Sequence, residues 1–315
     1  MIKSALIILL LCGLFTILKL MGTMNNYNDH IAETPIIKAP KMHACVRTKD
    51  STRFMREFIL YHTAQGIQTF SIYDDSEKNH KEFFDDFPGV IFYKYVNGIN
   101  IENENHFILE CVSGVIMSGE YEFVLNMDDD EFLFSTTRDR TVAQHLSINK
   151  DVWFANNECI SNALYFFGSV KSNNTGYTTI DFVNRDRDVE GKDFKFFYRP
   201  YSNRLKNRIE KAIFKVPSEY RGKVDMINAF TNRLKTGIII HGYSMNCTKQ
   251  TLIKVAHYTR SGKELEIRLA KFWTNVKGLR GRFDNDKKIK NYLKERNRTE
   301  FIDTRLRDTS IQLFS

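Results

Sequence analysis

Residues 121–134 read YEFVLNMDDDEFLF, with four consecutive acids, Asp128, Asp129, Asp130 and Glu131, set between two apolar runs. Carboxylates that close repel one another unless a counter-charge meets them, and a divalent cation is the strongest one available. In an extended loop alternate side chains share a side, so Asp128 and Asp130 can face one ion. Asp129 and Glu131 then turn elsewhere, toward a sugar hydroxyl or an arginine. Mg²⁺ or Mn²⁺ takes oxygen ligands of this kind and shares them with a diphosphate, where it offsets charge building on the leaving phosphate. An isolated D-x-D is more often a solvated acidic turn. Its position here, after one strand and before another apolar run, favours the metal–phosphate role.

The elements that must hold these acids are legible. KMHACVRTKD opens with a short apolar strand. STRFMREFILYHTAQG has apolar residues at helical spacing, Ser51 or Thr52 as a cap and Gly66 as a stop. IQTFSIYDD alternates as a strand, SEKNHKEFFDDFPG is a short helix, VIFYKYV a strand, NENHFILECVSGVIMSGE a helix and YEFVLNM a strand. Strand and helix alternate through residues 43–127, which predicts an α/β fold whose Rossmann-like half is a parallel sheet. Such sheets bind ligands at the carboxyl ends of their strands. Asp74-Asp75 and the four acids both fall there.

The chain has 315 residues and a globular composition, enough for a sizeable core. Its N-terminus differs. After Lys3 an apolar run extends from Ala5 to Leu18, short for a span unless Lys19 snorkels. It is expected to be an uncleaved signal anchor over residues 1–24, with a cleaved signal peptide as the alternative. Residues 25–41 then form a stem. Outside that run four cysteines remain, Cys45, Cys111, Cys159 and Cys247, which allow three pairings or stay as free thiols. Sequons stand at Asn173, Asn246 and Asn297. The net charge of +8 is concentrated late, in RLKNRIEKAIFK and KGLRGRFDNDKKIKNYLKERNR, and reads as solvated helix faces. The aromatic and glycine pattern of an RNA-binding sheet is absent, so no nucleic-acid partner is expected.

RTKDSTRFMREFILYHTAQGIQTFSIYDDSEKN, NMDDDEFLF, FFGS and VAHYTRSGKELEIRLAKFW together resemble the family-92 (DUF23) glycosyltransferases and their family-2-like relatives. The likeness covers residues 43–275. It implies a GT-A fold with a mixed central sheet over residues 42–275, followed by a basic helical extension over 276–315. It also implies inverting transfer of a sugar, with galactose the family's bias, from a nucleotide-sugar, UDP-linked by preference, to a glycan or glycoprotein. The enzyme would be a single-pass type II membrane protein of the Golgi or endoplasmic reticulum lumen. Residue by residue, Asp74 and Asp75 would lie near the base or ribose. Asp128 and Asp130 would hold Mn²⁺ (or Mg²⁺) and the diphosphate, His257 would complete the metal shell, and Arg260 and Lys263 would reach the diphosphate. Glu57, Tyr61 and His62 match the first-helix signature, with packing as much as chemistry as their role. Two departures stand out: Lys49-Asp50-Ser51 replaces the family's K-N-E, and Leu164 replaces a tryptophan on the acceptor side.

Inversion needs a general base for the acceptor hydroxyl. Asp181, Glu158 and His241 are weak candidates, Asp186 and Asp188 further ones, and the base stays unassigned. The rival readings are a degenerate GT-A glycan-binding protein and a metal-dependent phosphohydrolase or nucleotidyltransferase.

Overall fold

A computed structural model describes residues 38–96, 104–167, 184–185, 210–223, 247–258, 301–302 and 305–314. The chain divides into two compact units, residues 1–38 and 39–315, and the described strands and helices all belong to the second. The proposed anchor, most of the stem, and all three sequons lie outside the described residues. Among the described residues no helix is long and apolar enough to cross a membrane.

Four strands form the expected parallel set: β1 (Met42–Thr48), β2 (Thr69–Asp74), β3 (Ile91–Tyr95) and β4 (Phe123–Asp128). They lie in the order β3-β2-β1-β4. Three helices connect them: α1 (Thr52–Ala64), α2 (Lys81–Asp85) and α3 (Glu104–Ser118). Register sets Thr48 beside Asp74 and Arg47 beside Asp128, so the three strands carrying the acids and their partners end at one edge.

The sheet is covered on both faces, as a parallel sheet requires. Ala44 and Val46 of β1 belong to a core shared with Phe58 of α1 and with Phe132 and Tyr258, whereas Cys45 between them joins a second core with Phe107 and Val112 of α3. Two disulfides close in that second core: Cys45–Cys111 ties β1 to α3, and Cys159–Cys247 is the other pair. Gly66 ends the turn after α1 at φ +97°, and a Cβ there would collide with Ala143 Cβ, so the position needs glycine twice over.

The second half makes the sheet mixed. It comprises β5 (Glu131–Ser135), α4 (Val142–Trp153), β6 (Cys159–Phe167), β7 (Asn184–Arg185), β8 (Glu210–Lys215), β9 (Thr248–Lys249), β10 (Ile253–Tyr258), β11 (Phe301–Ile302) and α5 (Arg305–Phe314). Strand β8 runs antiparallel to both β4 and β6. Strand β10 runs antiparallel to β5 and parallel to β6.

One expectation changes. RLKNRIEKAIFK was expected to be a solvated helix face; its described part, residues 210–215, is a strand, because Lys211, Ile213 and Lys215 alternate with Ala212 and Phe214 and both Ile213 and Phe214 are buried. Residues 276–315 were expected to be a basic helical extension; of the described residues there, β11 pairs with β7, and α5 is a helix whose Leu306 is part of the main core.

Candidate active site

The four acids sit where β4 hands over to β5, and their partners differ. Asp128 Oδ2 and Glu131 Oε2 accept from one ammonium, Lys211 Nζ, at 3.0 and 2.9 Å. Glu131 Oε2 also accepts the Asp128 backbone N–H at 2.9 Å. Asp129 is buried and turns back under β1, where its Oδ2 accepts from the Thr48 hydroxyl at 2.8 Å and the Lys49 N–H at 3.3 Å. Asp130 Oδ1 lies 3.7 Å from His257 Nε2 on β10, and the Tyr258 N–H holds the Asp130 carbonyl at 2.9 Å. The expected partners of Asp129 and Glu131, a sugar hydroxyl or an arginine, are here a threonine hydroxyl and a lysine.

The scaffold behind the acids is buried and polar. His62 of α1 donates from Nδ1 to the Phe58 carbonyl at 2.8 Å and accepts the Leu133 N–H at Nε2, 3.0 Å away, which pins β5 to α1. On the far side Gln250 Nε2 donates to Asn162 Oδ1 at 2.6 Å, and Asn162 Nδ2 donates to the Lys211 carbonyl at 2.8 Å. Gln250 Oε1 accepts the Ile253 N–H at 2.8 Å, at the start of the strand that carries His257.

Asp74 and Asp75 reach the expected edge of the sheet but face inward. Asp75 pairs with Arg47 Nη2 at 2.8 Å and lies 3.5 Å from Lys49 Nζ. Asp74 accepts from the Ser76 N–H at 3.0 Å, from the Tyr93 hydroxyl at 2.8 Å, and contacts His80 Nδ1 at 3.0 Å. The side chains of Asp74 and Asp75 are 0% and 1% exposed, so in this structure they order the β2 edge and do not present themselves to a ligand. Arg47 with Asn126, Asp128, Tyr73 and Phe107 instead lines a narrow cleft between the strand ends and α3.

Exposure separates the carboxylates. Asp128, Asp130 and His257 side chains are 31%, 16% and 23% exposed, whereas that of Glu131 is 2%. Burial pushes the Glu131 carboxyl up; Lys211 pulls it back, and Asp128 and Asp130 push it further up. Burial alone would lower the Lys211 ammonium, but the Asp128 and Glu131 carboxylates outweigh it and hold its pKa above the ordinary lysine range. The lysine therefore carries the positive charge of the cluster.

Two of the three expected donors stand close enough to meet one divalent cation. Asp130 Oδ1 and His257 Nε2 stand 3.7 Å apart, little more than the roughly 3 Å between neighbouring ligands about 2.1 Å from an octahedral ion. Asp128 Oδ2 is engaged by Lys211, and the three donors do not all lie within 4.8 Å of one another, so Asp128 joins the other two only by turning from the lysine. The three do not form a closed cage. Among the described residues, the one group whose ligand atoms all lie within 4.8 Å is His43, Cys45 and Cys111, and its thiols are consumed in a disulfide. An open set of one or two carboxylates that leaves positions for phosphate oxygens is the pattern Mg²⁺ favours.

Arg260, Lys263, Asp181 and His241, like Asp186 and Asp188, lie outside the described residues. Glu158 does not join the site. Strand β6 runs in the same direction as β4, and Glu158 precedes it, with its carbonyl accepting the Lys215 N–H at 2.8 Å. Lys215 pairs with Phe123, the first residue of β4, so Glu158 is level with the amino end of that strand. Five residues of strand, about 16 Å, separate that level from Asp128. A carboxylate at that end cannot reach a hydroxyl presented at the acid cluster. Lys211, Thr48, Asn162 and Gln250 were not singled out from the sequence. The alternation of EKAIFK is the one local signal for Lys211, since it places a lysine on the same face as Ile213.

No family model matches the chain, and no curated protein matches it. Solved structures that resemble it include HddC from Yersinia pseudotuberculosis, at 6% identity over 69% of this chain and 89% of that one, with a TM-score of 0.32. A 4-diphosphocytidyl-2C-methyl-D-erythritol synthase from Anaerococcus prevotii is 13% identical over 83% of this chain and 100% of that one, with a TM-score of 0.34. A second synthase of that name is 11% identical over 67% and 94%, with a TM-score of 0.30. Likeness at this level is too distant to carry an argument, and the reading of the site rests on its own geometry.

Proposed function

We propose that the chain is a metal-dependent GT-A glycosyltransferase that moves a sugar from a nucleotide-sugar, by preference a UDP-sugar, to a glycan or glycoprotein. One observation carries this reading. Of the four acids at the end of β4, two are locked into the scaffold, while Asp128, Asp130 and the facing His257 remain at the solvent side. That is the division of labour a metal–diphosphate site needs: fixed ligands on a rigid edge, backed by buried partners. Asp128, Asp130 and His257 would hold Mn²⁺ or Mg²⁺. Bound there, the ion supplies Lewis-acid stabilisation of the leaving diphosphate.

The chain's own residues orient the parts. Asp129 ties the acidic loop to β1 through Thr48, and His62 ties the following strand to α1. Arg47 and Asn126 line the narrow cleft beside Asp128, with Tyr73 and Phe107. The two disulfides fit an oxidising lumen, in keeping with a luminal domain behind an N-terminal anchor.

The test is a turnover panel. The full chain is incubated with UDP-, GDP- and CMP-sugars and mixed glycans, with Mn²⁺ or with chelator, and nucleotide release is followed. Release from one donor class, only with Mn²⁺ and stimulated by acceptor, is the expected result. Pyrophosphate release from a nucleoside triphosphate plus a sugar phosphate would replace the reading with nucleotidyl transfer.

A further inference from the structure

Lys211 is more rigidly held than neutralising acids requires. Its side chain is 7% exposed, its Nζ bridges Asp128 and Glu131, and its backbone carbonyl is fixed through Asn162 and Gln250 to the beginning of the His257 strand. Ammonium and imidazole are thus referenced to one another by a chain of buried amides. Glu131 Oε2 anchors the ammonium independently of Asp128. Asp128 can therefore turn to another partner while the lysine stays in place.

We propose that Lys211 is a positioning residue that stands in for the divalent cation on Asp128 and makes the site select a metal already carrying a diphosphate over the free ion. The proposal rests on the metal reading above. A fixed positive charge beside the ligands repels a bare dication, and this repulsion is strong in a partly buried site. An ion that arrives with a diphosphate brings negative charge to that same ammonium, and the repulsion turns into attraction. Lys211 thereby couples the binding of the ion to the binding of the nucleotide.

The experiment titrates Mn²⁺ into the full chain by electron paramagnetic resonance, alone and with UDP, for wild type, Lys211→Met and Lys211→Arg. In Lys211→Met, Mn²⁺ alone is expected to bind roughly tenfold tighter or more, and the gain conferred by UDP to shrink. A lysine that only supported the fold would give weaker binding on removal. Lys211→Arg keeps the charge and is expected to bind bare Mn²⁺ no more tightly than wild type; a gain there overturns the proposal even if the methionine variant does not fold. Unchanged or weaker bare-Mn²⁺ binding in a folded Lys211→Met overturns it while leaving the metal reading intact. No Mn²⁺ binding by any of the three proteins, with or without UDP, removes the metal reading and the proposal together.

Discussion

His62 Nε2 accepts the Leu133 backbone N–H at 3.0 Å, and the same ring donates from Nδ1 to the Phe58 carbonyl at 2.8 Å. A carbonyl only accepts and an amide N–H only donates, so these two partners fix one neutral tautomer. Burial lowers the His62 pKa to about 3, against the pull of the Phe58 carbonyl, so the ring stays neutral through ordinary pH. A histidine in the last turn of α1 thus positions the strand that follows the four acids.

Removing that ring should destabilise the protein. In His62→Leu the Leu133 N–H is left buried without its acceptor, a cost of about 1–3 kcal/mol. Urea unfolding should show a midpoint shift of that size with the slope unchanged. A change under about 0.5 kcal/mol would mean that β5 is held by other contacts.

His43 contributes to the pH dependence of stability with a definite sign. Its ring nitrogens contact the Thr69 and Ser71 hydroxyls at 2.7 and 2.9 Å, and burial lowers its pKa from 6.5 to about 4. Between those values the unfolded chain binds a proton that the folded chain does not, so stability rises with pH. It is lost as pH falls through about 6.5 toward 4, at up to about 1.4 kcal/mol per pH unit. Melting temperature against pH should show this fall, and His43→Gln should lessen it, with the remainder supplied by His62, whose lowered pKa acts in the same direction. An equal slope in the variant would assign the acid sensitivity elsewhere.

Thr48→Val tests the tie between the acid loop and β1. It removes the hydroxyl that Asp129 Oδ2 accepts from and leaves the longer Lys49 N–H contact in place, so a loss of about 1–3 kcal/mol is expected, together with lower turnover. A stability loss with turnover intact would separate loop placement from chemistry.

The site was legible in outline, and its counter-charge was not. The strand–helix alternation of residues 42–128, the end of α1 at Gly66 and the acids at a strand end were all readable, because periodicity and glycine act over a few residues. Lys211 was not, since it is 83 residues from Asp128 and only the antiparallel return of β8 brings the two together. Asp74 and Asp75 stand at the expected edge, but the partners that hold them were not readable. Their inward turn depends on Tyr93, His80 and Arg47, three partners on other segments that the local sequence does not announce. The cysteine pairing had the same obstacle. Cys45 meets Cys111 through the packing of α3 on the sheet, not through spacing.

That disulfide should matter to the fold. It closes a 66-residue separation, for which the chain-entropy estimate is about 4 kcal/mol, and measured values run about 2–4. Cys45→Ala with Cys111→Ala should lower the melting temperature under oxidising conditions, while reducing agent should lower that of the wild type. An unaffected wild type in reductant would show that neither disulfide contributes.

Asp130→Ala should leave the fold intact and reduce transfer by more than the roughly hundredfold that loss of an outer metal partner typically brings. Circular dichroism and the turnover panel together check this. Full activity would remove Asp130 from the metal shell.

The most direct measurement is thermal shift of the protein with UDP, GDP and CMP, each with and without Mn²⁺. A ligand that binds the folded state alone must raise its melting temperature. One nucleotide, UDP by preference, should stabilise the protein only when Mn²⁺ is present. Stabilisation by no nucleotide, or equal stabilisation with and without the metal, would contradict a metal–diphosphate site at Asp128, Asp130 and His257.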